Sequence, residues 1–283
     1  MASANSEQPR VPSPNDQNED YFAETLQLRA KCRRFRILVI GRANAGKTTL
    51  CQRMCNTTDP PVVYTKGGKI VNVSPSEERG IHNIEDEIVY EANPGFVFHD
   101  SGGFESGSEA ELQTVRDFIK NRSEEGELSS RLHAIWFCMP VDSDRPLVDA
   151  EMKFFDSGTH PVPVIAIFTK CDSQYIKAKE HLREKGISRR DITKQVIEKE
   201  IENYLRMLET DWNKRAIHPP KAYCFMKGND HKNHQSIQCA ALVERTEESI
   251  DDDVLKLLFA SVQRCNTKIC VRHAVKYSLR NCM

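Results

Sequence analysis

The 283 residues contain no C-x-x-C pair among their 10 cysteines, no excess of one charge, and no apolar run near the roughly 20 residues that a bilayer span needs. Lysine and arginine number 40 against 41 aspartates and glutamates, a formal net charge of -1. A chain so balanced, with pI about 6.8, carries no overall electrostatic footprint for nucleic acid, so DNA is not an expected partner and bulk charge does not imply RNA. Without a spanning run, a soluble or at most peripheral protein is expected. The cysteines are scattered, several of them inside expected strands or helices, and the first residues form no signal-peptide pattern. Reduced thiols and a cytoplasmic location follow as expectations, and the sequons at Asn56, Asn72 and Asn121 would then be idle. His231, His234, Cys224 and Cys239 straddle an expected loop without zinc spacing, so no structural metal is expected there. With 39% hydrophobic residues the chain can bury a substantial core, and its length suits about one to two domains.

What the sequence does hold is a phosphate-binding pattern. Gly41 to Thr48 reads GRANAGKT and follows the apolar run Phe35-Arg36-Ile37-Leu38-Val39-Ile40. The spacing G-x-x-x-x-G-K-[ST] lets backbone N–H groups of Gly41, Arg42, Ala43, Asn44, Ala45, Gly46 and the following Thr49 curl round phosphate oxygens. The helix starting there points its positive end at the same oxygens. Lys47 then reaches the β- and γ-phosphates, and the Thr48 hydroxyl holds Mg²⁺.

Two further segments each close an apolar strand. Asp100-Ser101-Gly102-Gly103 ends Phe96-Val97-Phe98-His99, which sets Asp100 at the carboxyl edge of a buried strand, where open α/β sheets bind ligands. Asp100 can grip Mg²⁺ through water, and the Gly103 amide can meet a γ-phosphate. Thr169-Lys170-Cys171-Asp172 ends the apolar run 162–168, and a carboxylate at Asp172 accepts both N–H donors of a guanine edge, a pair adenine lacks. Any one of these short patterns is commonplace. In this order, each ending a strand, they specify a guanine-nucleotide site.

These residues resemble the G-domain GTPases of the translation-factor-related class, and GRANAGKTTL resembles their Era-like, septin-like and immunity-associated branches. RFRILVIGRANAGKTTL, NPGFVFHDSGGFESGSE, HAIWFC and VPVIAIFTK are similar to a family of fungal G-domain proteins, over about Phe35 to Phe225. The resemblance implies GTP or GDP and Mg²⁺ as ligands, bound by Gly41, Asn44, Gly46, Lys47, Thr48, Asp100, Gly103, Lys170 and Asp172. It also implies that Asn44 holds K⁺ in the manner of GTPases activated by G-domain dimerisation, unless Asn44 simply suits a tight left-handed turn. Three positions depart from the family pattern. Thr169 stands where an asparagine usually ties the base loop to the phosphate loop, so weaker guanine affinity is expected. Phe104 replaces a water-orienting glutamine, which leaves Glu105 and His82 as candidates. The stretch 74–82 just before the strand expected at 84–90 holds no threonine, so Ser74 or Ser76 would have to serve as the switch ligand to Mg²⁺.

Residues 1–30 are rich in Ser, Pro, Asn, Gln and acids and are expected to be a disordered tail. A G domain is expected over 31–250 as a doubly wound, mainly parallel α/β sheet of about six strands with one antiparallel edge strand. The breakers Pro60-Pro61, Gly67-Gly68, Pro75 and Gly80 predict a mobile switch connection. Strands are expected at 84–90, 95–100, 134–139 and 222–226, and a helix at 108–122. Trp136 reads as core. Over 174–215 the spacing of Ile192, Val196, Ile197, Ile201, Tyr204, Leu205 and Leu208 predicts an inserted amphipathic helix, which either packs on the domain or contacts a partner. The small-residue run Cys239-Ala240-Ala241-Leu242 is expected to close the guanine pocket. Residues 251–283 predict an added C-terminal amphipathic helix whose basic end, Arg264 to Arg280, either is solvated or lies on an anionic membrane. Three functions fit this pattern: a slow GTP hydrolase acting as a switch, working as a G-domain homodimer or with a protein effector; a scaffold that binds GTP or GDP without hydrolysis; and an ATPase of the same loop class, which Asp172 disfavours.

Overall fold

The computed structural model describes residues 32–71, 83–101, 109–142, 149–159, 161–226, 235–263 and 271. In chain order its strands are β1 (Phe35–Gly41), β2 (Val62–Tyr64), β3 (Ile70–Val71), β4 (Glu87–Val89), β5 (Phe96–Asp100), β6 (Ala134–Pro140), β7 (Val164–Thr169) and β8 (Ala222–Phe225). The helices are α1 (Lys47–Met54), α2 (Glu109–Ser123), α3 (Asp149–Asp156), α4 (Gln174–Glu184), α5 (Lys194–Arg215), α6 (Gln235–Ser249) and α7 (Asp253–Val262). The tail 1–30 and the basic stretch 264–270 and 272–283 lie outside the described residues.

All strands join one sheet in the order β3-β2-β4-β5-β1-β6-β7-β8. β5, β1, β6, β7 and β8 run parallel, and their apolar runs are what a strand covered on both faces requires. Alternation along β1 divides the core. Leu38 and Ile40 face α2, α3, α4 and α5, where Phe118, Phe154, Phe155, Leu182, Ile201 and Trp212 are buried. Phe35, Ile37 and Val39 face α1, α6 and α7, with Leu50, Met54, Leu242 and Phe259. The sheet is therefore doubly wound, as its sequence pattern predicts, and the C-terminal helix α7 packs Phe259 against Phe35 with ring centroids 4.7 Å apart. Trp136 is core as expected, its Nε1 donating to Thr246 Oγ1 at 3.1 Å.

Two regions are more structured than the sequence suggests. Within the segment expected as a mobile connection, β2 and β3 form a hairpin that extends the sheet to eight strands, turning through Gly68 at φ +73°. Three antiparallel pairings thus replace a single antiparallel edge strand. The region 174–215 is two helices rather than one. Gly186 at φ +80° ends the first, with Ile187 N donating to the Leu182 carbonyl at 3.1 Å, and the Thr193 side chain caps the second.

At the end of the sheet opposite the carboxyl edge, Arg36 organises a buried polar cluster. Its Nη1 lies 2.6 Å from Glu87 Oε1, and its Nε donates to the Ser129 carbonyl. Its backbone N–H donates to His133 Nδ1 at 2.9 Å, and its guanidinium also reaches His99 Nε2 at 3.3 Å. The remaining ring nitrogens face carbonyls, His133 Nε2 that of Leu128 and His99 Nδ1 that of Ile84. Burial first, and the Arg36 charge after it, lower both histidines from 6.5 to about 4.

Candidate functional site

Three loops meet at the carboxyl edge of the parallel strands. The first leaves β1 at Gly41, which has φ +150° and lies so close to β6 that an added Cβ would stand 2.4 Å from the Cys138 carbonyl oxygen. Glycine is required there by proximity and conformation together. The chain then makes a β-turn closed by the Ala45 N–H on the Arg42 carbonyl at 3.1 Å, with Asn44 in the third position at φ +58°. That position admits glycine or asparagine with little cost, so the turn alone gives Asn44 a structural role. Gly46, also left-handed at φ +85°, leads into α1, whose first turn carries the exposed Thr48 and Thr49. The first N–H groups of a helix have no partner within it, and they face the ligand side of such a loop.

Lys47 is nearly buried and folds back over this loop. Its Nζ donates to the Gly41 carbonyl at 2.9 Å and to the Arg42 carbonyl at 3.2 Å, and it stands 3.8 Å from Asp100 Oδ1. Asp100 ends β5 beside β1, where Ser101 N donates to the Val39 carbonyl at 3.4 Å. Lysine and aspartate are thus brought together by adjacent parallel strands, although Lys47 and Asp100 are 53 positions apart in sequence. Thr48 and Asp100 offer hydroxyl and carboxylate oxygens, the hard donors that Mg²⁺ takes.

The third loop follows β7. The Thr169 hydroxyl donates to the Ala45 carbonyl at 2.8 Å, a buried bond that joins the base loop to the phosphate loop. Lys170, left-handed at φ +57°, pairs its Nζ with Asp142 Oδ2 at 2.7 Å. Asp172 is exposed in the short turn that follows, open to a ligand edge. Val141 N donates to the Thr169 carbonyl at 3.1 Å, and the Gln174 side-chain amide donates to the Val141 carbonyl, so the end of β6 is clasped by the base loop.

Of the residues expected at the site, Gly41 to Thr49, Asp100, Thr169, Lys170 and Asp172 lie along this edge. Ser74, Ser76, His82, Gly103, Phe104 and Glu105 lie outside the described residues. The Cys239–Leu242 run is not a pocket loop. It sits within α6, where Cys239 and Leu242 are buried against α1 and β8 while Ala241 is exposed. Among the described residues no group of His, Cys, Asp and Glu is arranged to hold a metal, the seven described cysteines are buried thiols, and no helix is long and apolar enough to cross a membrane. Burial pushes the Cys138 and Cys224 thiols up to about 12, which keeps them protonated and unreactive.

Two partners in the site carry no sequence signal. Asp142 meets Lys170, and Glu151, fully buried in α3, meets Arg42 with Nε 3.0 Å from Oε1. A single acid in a helix gives no hint that it faces a loop more than 100 residues earlier; only the packing of α3 on β6, the neighbour of β1, places it there.

Residues 36–170, slightly less than half the chain, match the model of the 50S ribosome-binding GTPase family. No curated protein matches the chain. The matched stretch is similar to that family over these residues, and its parallel sheet with a phosphate loop after β1 has the architecture of a P-loop nucleotide-binding fold.

Proposed function

We propose that this protein is a guanine-nucleotide-dependent switch that hydrolyses GTP slowly with Mg²⁺. The observation that carries the proposal is the Thr169 hydroxyl bond to the Ala45 carbonyl at 2.8 Å, because it unites a base-reading loop and a phosphate loop into one pocket. In this reading the Asp172 carboxylate accepts the two N–H donors of the guanine edge. The loop amides of 41–49 surround the phosphates, and Lys47 exchanges the Gly41 and Arg42 carbonyls for β- and γ-phosphate oxygens. Thr48 and Asp100 would hold Mg²⁺, which when bound neutralises phosphate charge and orients its oxygens. Preorganised positive groups of this kind lower the barrier to phosphoryl transfer by stabilising charge that develops in the transition state.

Asn44 is the proposed K⁺ ligand, active when two G domains of this chain face each other, so that hydrolysis is slow alone and rises with K⁺ and self-association. Equal rates in KCl and NaCl at high protein concentration would remove that part of the proposal. Glu105 and His82 are candidates only for the group that would orient the attacking water. A cytoplasmic location, kinship with the fungal branch, a protein effector and a C-terminal helical extension over 251–283 belong to the same reading, with membrane contact by its basic end as a lesser part. One observation favours a second reading, a scaffold that binds GTP or GDP without turnover: Phe104 stands where a water-orienting glutamine is usual. Single-turnover phosphate release separates the two.

The base assignment is tested by Asp172→Asn, which exchanges an acceptor for a donor. GTP binding should weaken and xanthosine triphosphate binding should improve. Unchanged GTP affinity in that variant would show that Asp172 does not read the base.

A further inference from the structure

Arg42 is the one charged side chain of the phosphate loop besides Lys47, and the nucleotide chemistry above leaves it without a role. Its backbone and side chain face two different structures. The Arg42 carbonyl accepts from Ala45 N at 3.1 Å, closing the turn that contains Asn44, and from Lys47 Nζ at 3.2 Å. The guanidinium instead meets helix α3, with Nε 3.0 Å from Glu151 Oε1. Glu151 has no exposed surface, and Arg42 retains about a fifth of its own.

A carboxylate withdrawn completely from water is strongly disfavoured unless a cation meets it, so Glu151 dictates where the Arg42 side chain lies. Helix α3 is itself a fixed post. Phe155 meets Trp212 edge-on with centroids 4.7 Å apart, and Phe154 and Phe155 both pack on Phe137 of β6, at 5.2 and 5.0 Å. The loop is thereby anchored from outside the nucleotide pocket, at the residue whose carbonyl seats Lys47.

We infer that Glu151 is a positioning residue for the phosphate loop, acting through Arg42 to hold the 42–45 turn and Lys47 in the geometry that receives a nucleotide's phosphates. The inference rests on the guanine-nucleotide reading given above. It assigns α3 a part in nucleotide affinity, although Glu151 touches no phosphate.

The test compares Mg–GTP affinity and the melting temperature of the nucleotide-free protein in the wild-type chain, Glu151→Gln, Arg42→Met and the apolar pair Arg42→Met with Glu151→Leu. Each single variant should lose about tenfold in GTP affinity, and the two losses should not add, as expected for groups that act as one unit. The apolar pair removes both charges and should recover the melting temperature of the free protein while keeping the loss in GTP affinity. Affinity that returns together with melting temperature would overturn the inference, because the pair would then serve stability alone. So would wild-type GTP affinity in Glu151→Gln. If the wild-type chain itself binds no GTP, the guanine-nucleotide reading fails first and the inference falls with it, an outcome distinct from either of those.

Discussion

The Thr169 hydroxyl donates to the Ala45 carbonyl at 2.8 Å, 124 positions away in sequence, and the bond is buried. Where an amide side chain would tie the two loops, a shorter hydroxyl does so here, because β7 ends with Thr169 close beside the loop that leaves β1. Removing the hydroxyl in Thr169→Val keeps the shape and leaves a buried carbonyl without its donor, at a cost of about 1–3 kcal/mol. The expected result is a lower melting temperature and a loss of roughly tenfold in affinity for GTP and GDP alike, since the tie concerns the base loop rather than the γ-phosphate. Isothermal titration with both nucleotides checks it, and a loss confined to GTP would contradict this role.

Two glycines of the phosphate loop should respond differently to alanine. At Gly41 an added Cβ meets the Cys138 carbonyl oxygen at 2.4 Å, and backbone oxygen cannot yield, so destabilisation of about 3 kcal/mol or more is expected. At Gly46 nothing lies within 4 Å of the added atom, and only the left-handed backbone at φ +85° opposes it, for about 1–2 kcal/mol. Urea denaturation of Gly41→Ala and Gly46→Ala should show the larger loss in the first. The reverse order would mean that the β1–β6 approach is looser than described.

His99 and His133 set an acid limit on stability. Both are neutral in the fold, with pKa lowered from 6.5 to about 4 by burial and then by Arg36. Above about 6.5 neither state gains protons, and below it the unfolded chain takes up protons that the folded chain refuses. Stability is therefore full above that pH and falls as pH drops toward about 4, with a limiting slope of about 1.4 kcal/mol per pH unit for each histidine. Melting temperatures between pH 7.5 and pH 4.5 should decline, and His99→Gln should flatten the decline while lowering stability at neutral pH. An identical slope in that variant would remove His99 from the account.

The helical insert is held by Trp212 of α5, which is fully buried between Phe137, Phe155 and Tyr223 with its Nε1 unpaired. Trp212→Ala should cost about 3–5 kcal/mol through the cavity it leaves. Trp212→Phe, which deletes the buried N–H and keeps an aromatic ring, should cost much less. Chemical denaturation of the two variants checks the order.

The legible part of the site was the part carried by short-range chemistry. β1, β5 and β7 read as apolar runs because parallel strands are covered on both faces; β1 and β5 end in Gly41 and Asp100, and β7 leads within three residues to Asp172, the glycine or acid that a ligand-binding turn requires. What escaped depends on approach between distant segments. The β2–β3 hairpin pairs strands of three and two residues, too short to show a period. The small run at Cys239 looked like a loop because small residues suit tight turns as well as helices. The Glu151–Arg42 pair has no local pattern at all. The break at Gly186 was readable from its glycine, but the periodicity of the helices on either side masked it.

The measurement that tests the central claim most directly is a titration of the purified protein with labelled GTP, GDP and ATP in Mg²⁺ and K⁺, followed by phosphate release in the same samples. The account predicts that GTP and GDP bind at least about a hundredfold more tightly than ATP and that phosphate appears slowly. ATP bound as tightly as GTP, or no nucleotide bound at all, would contradict it.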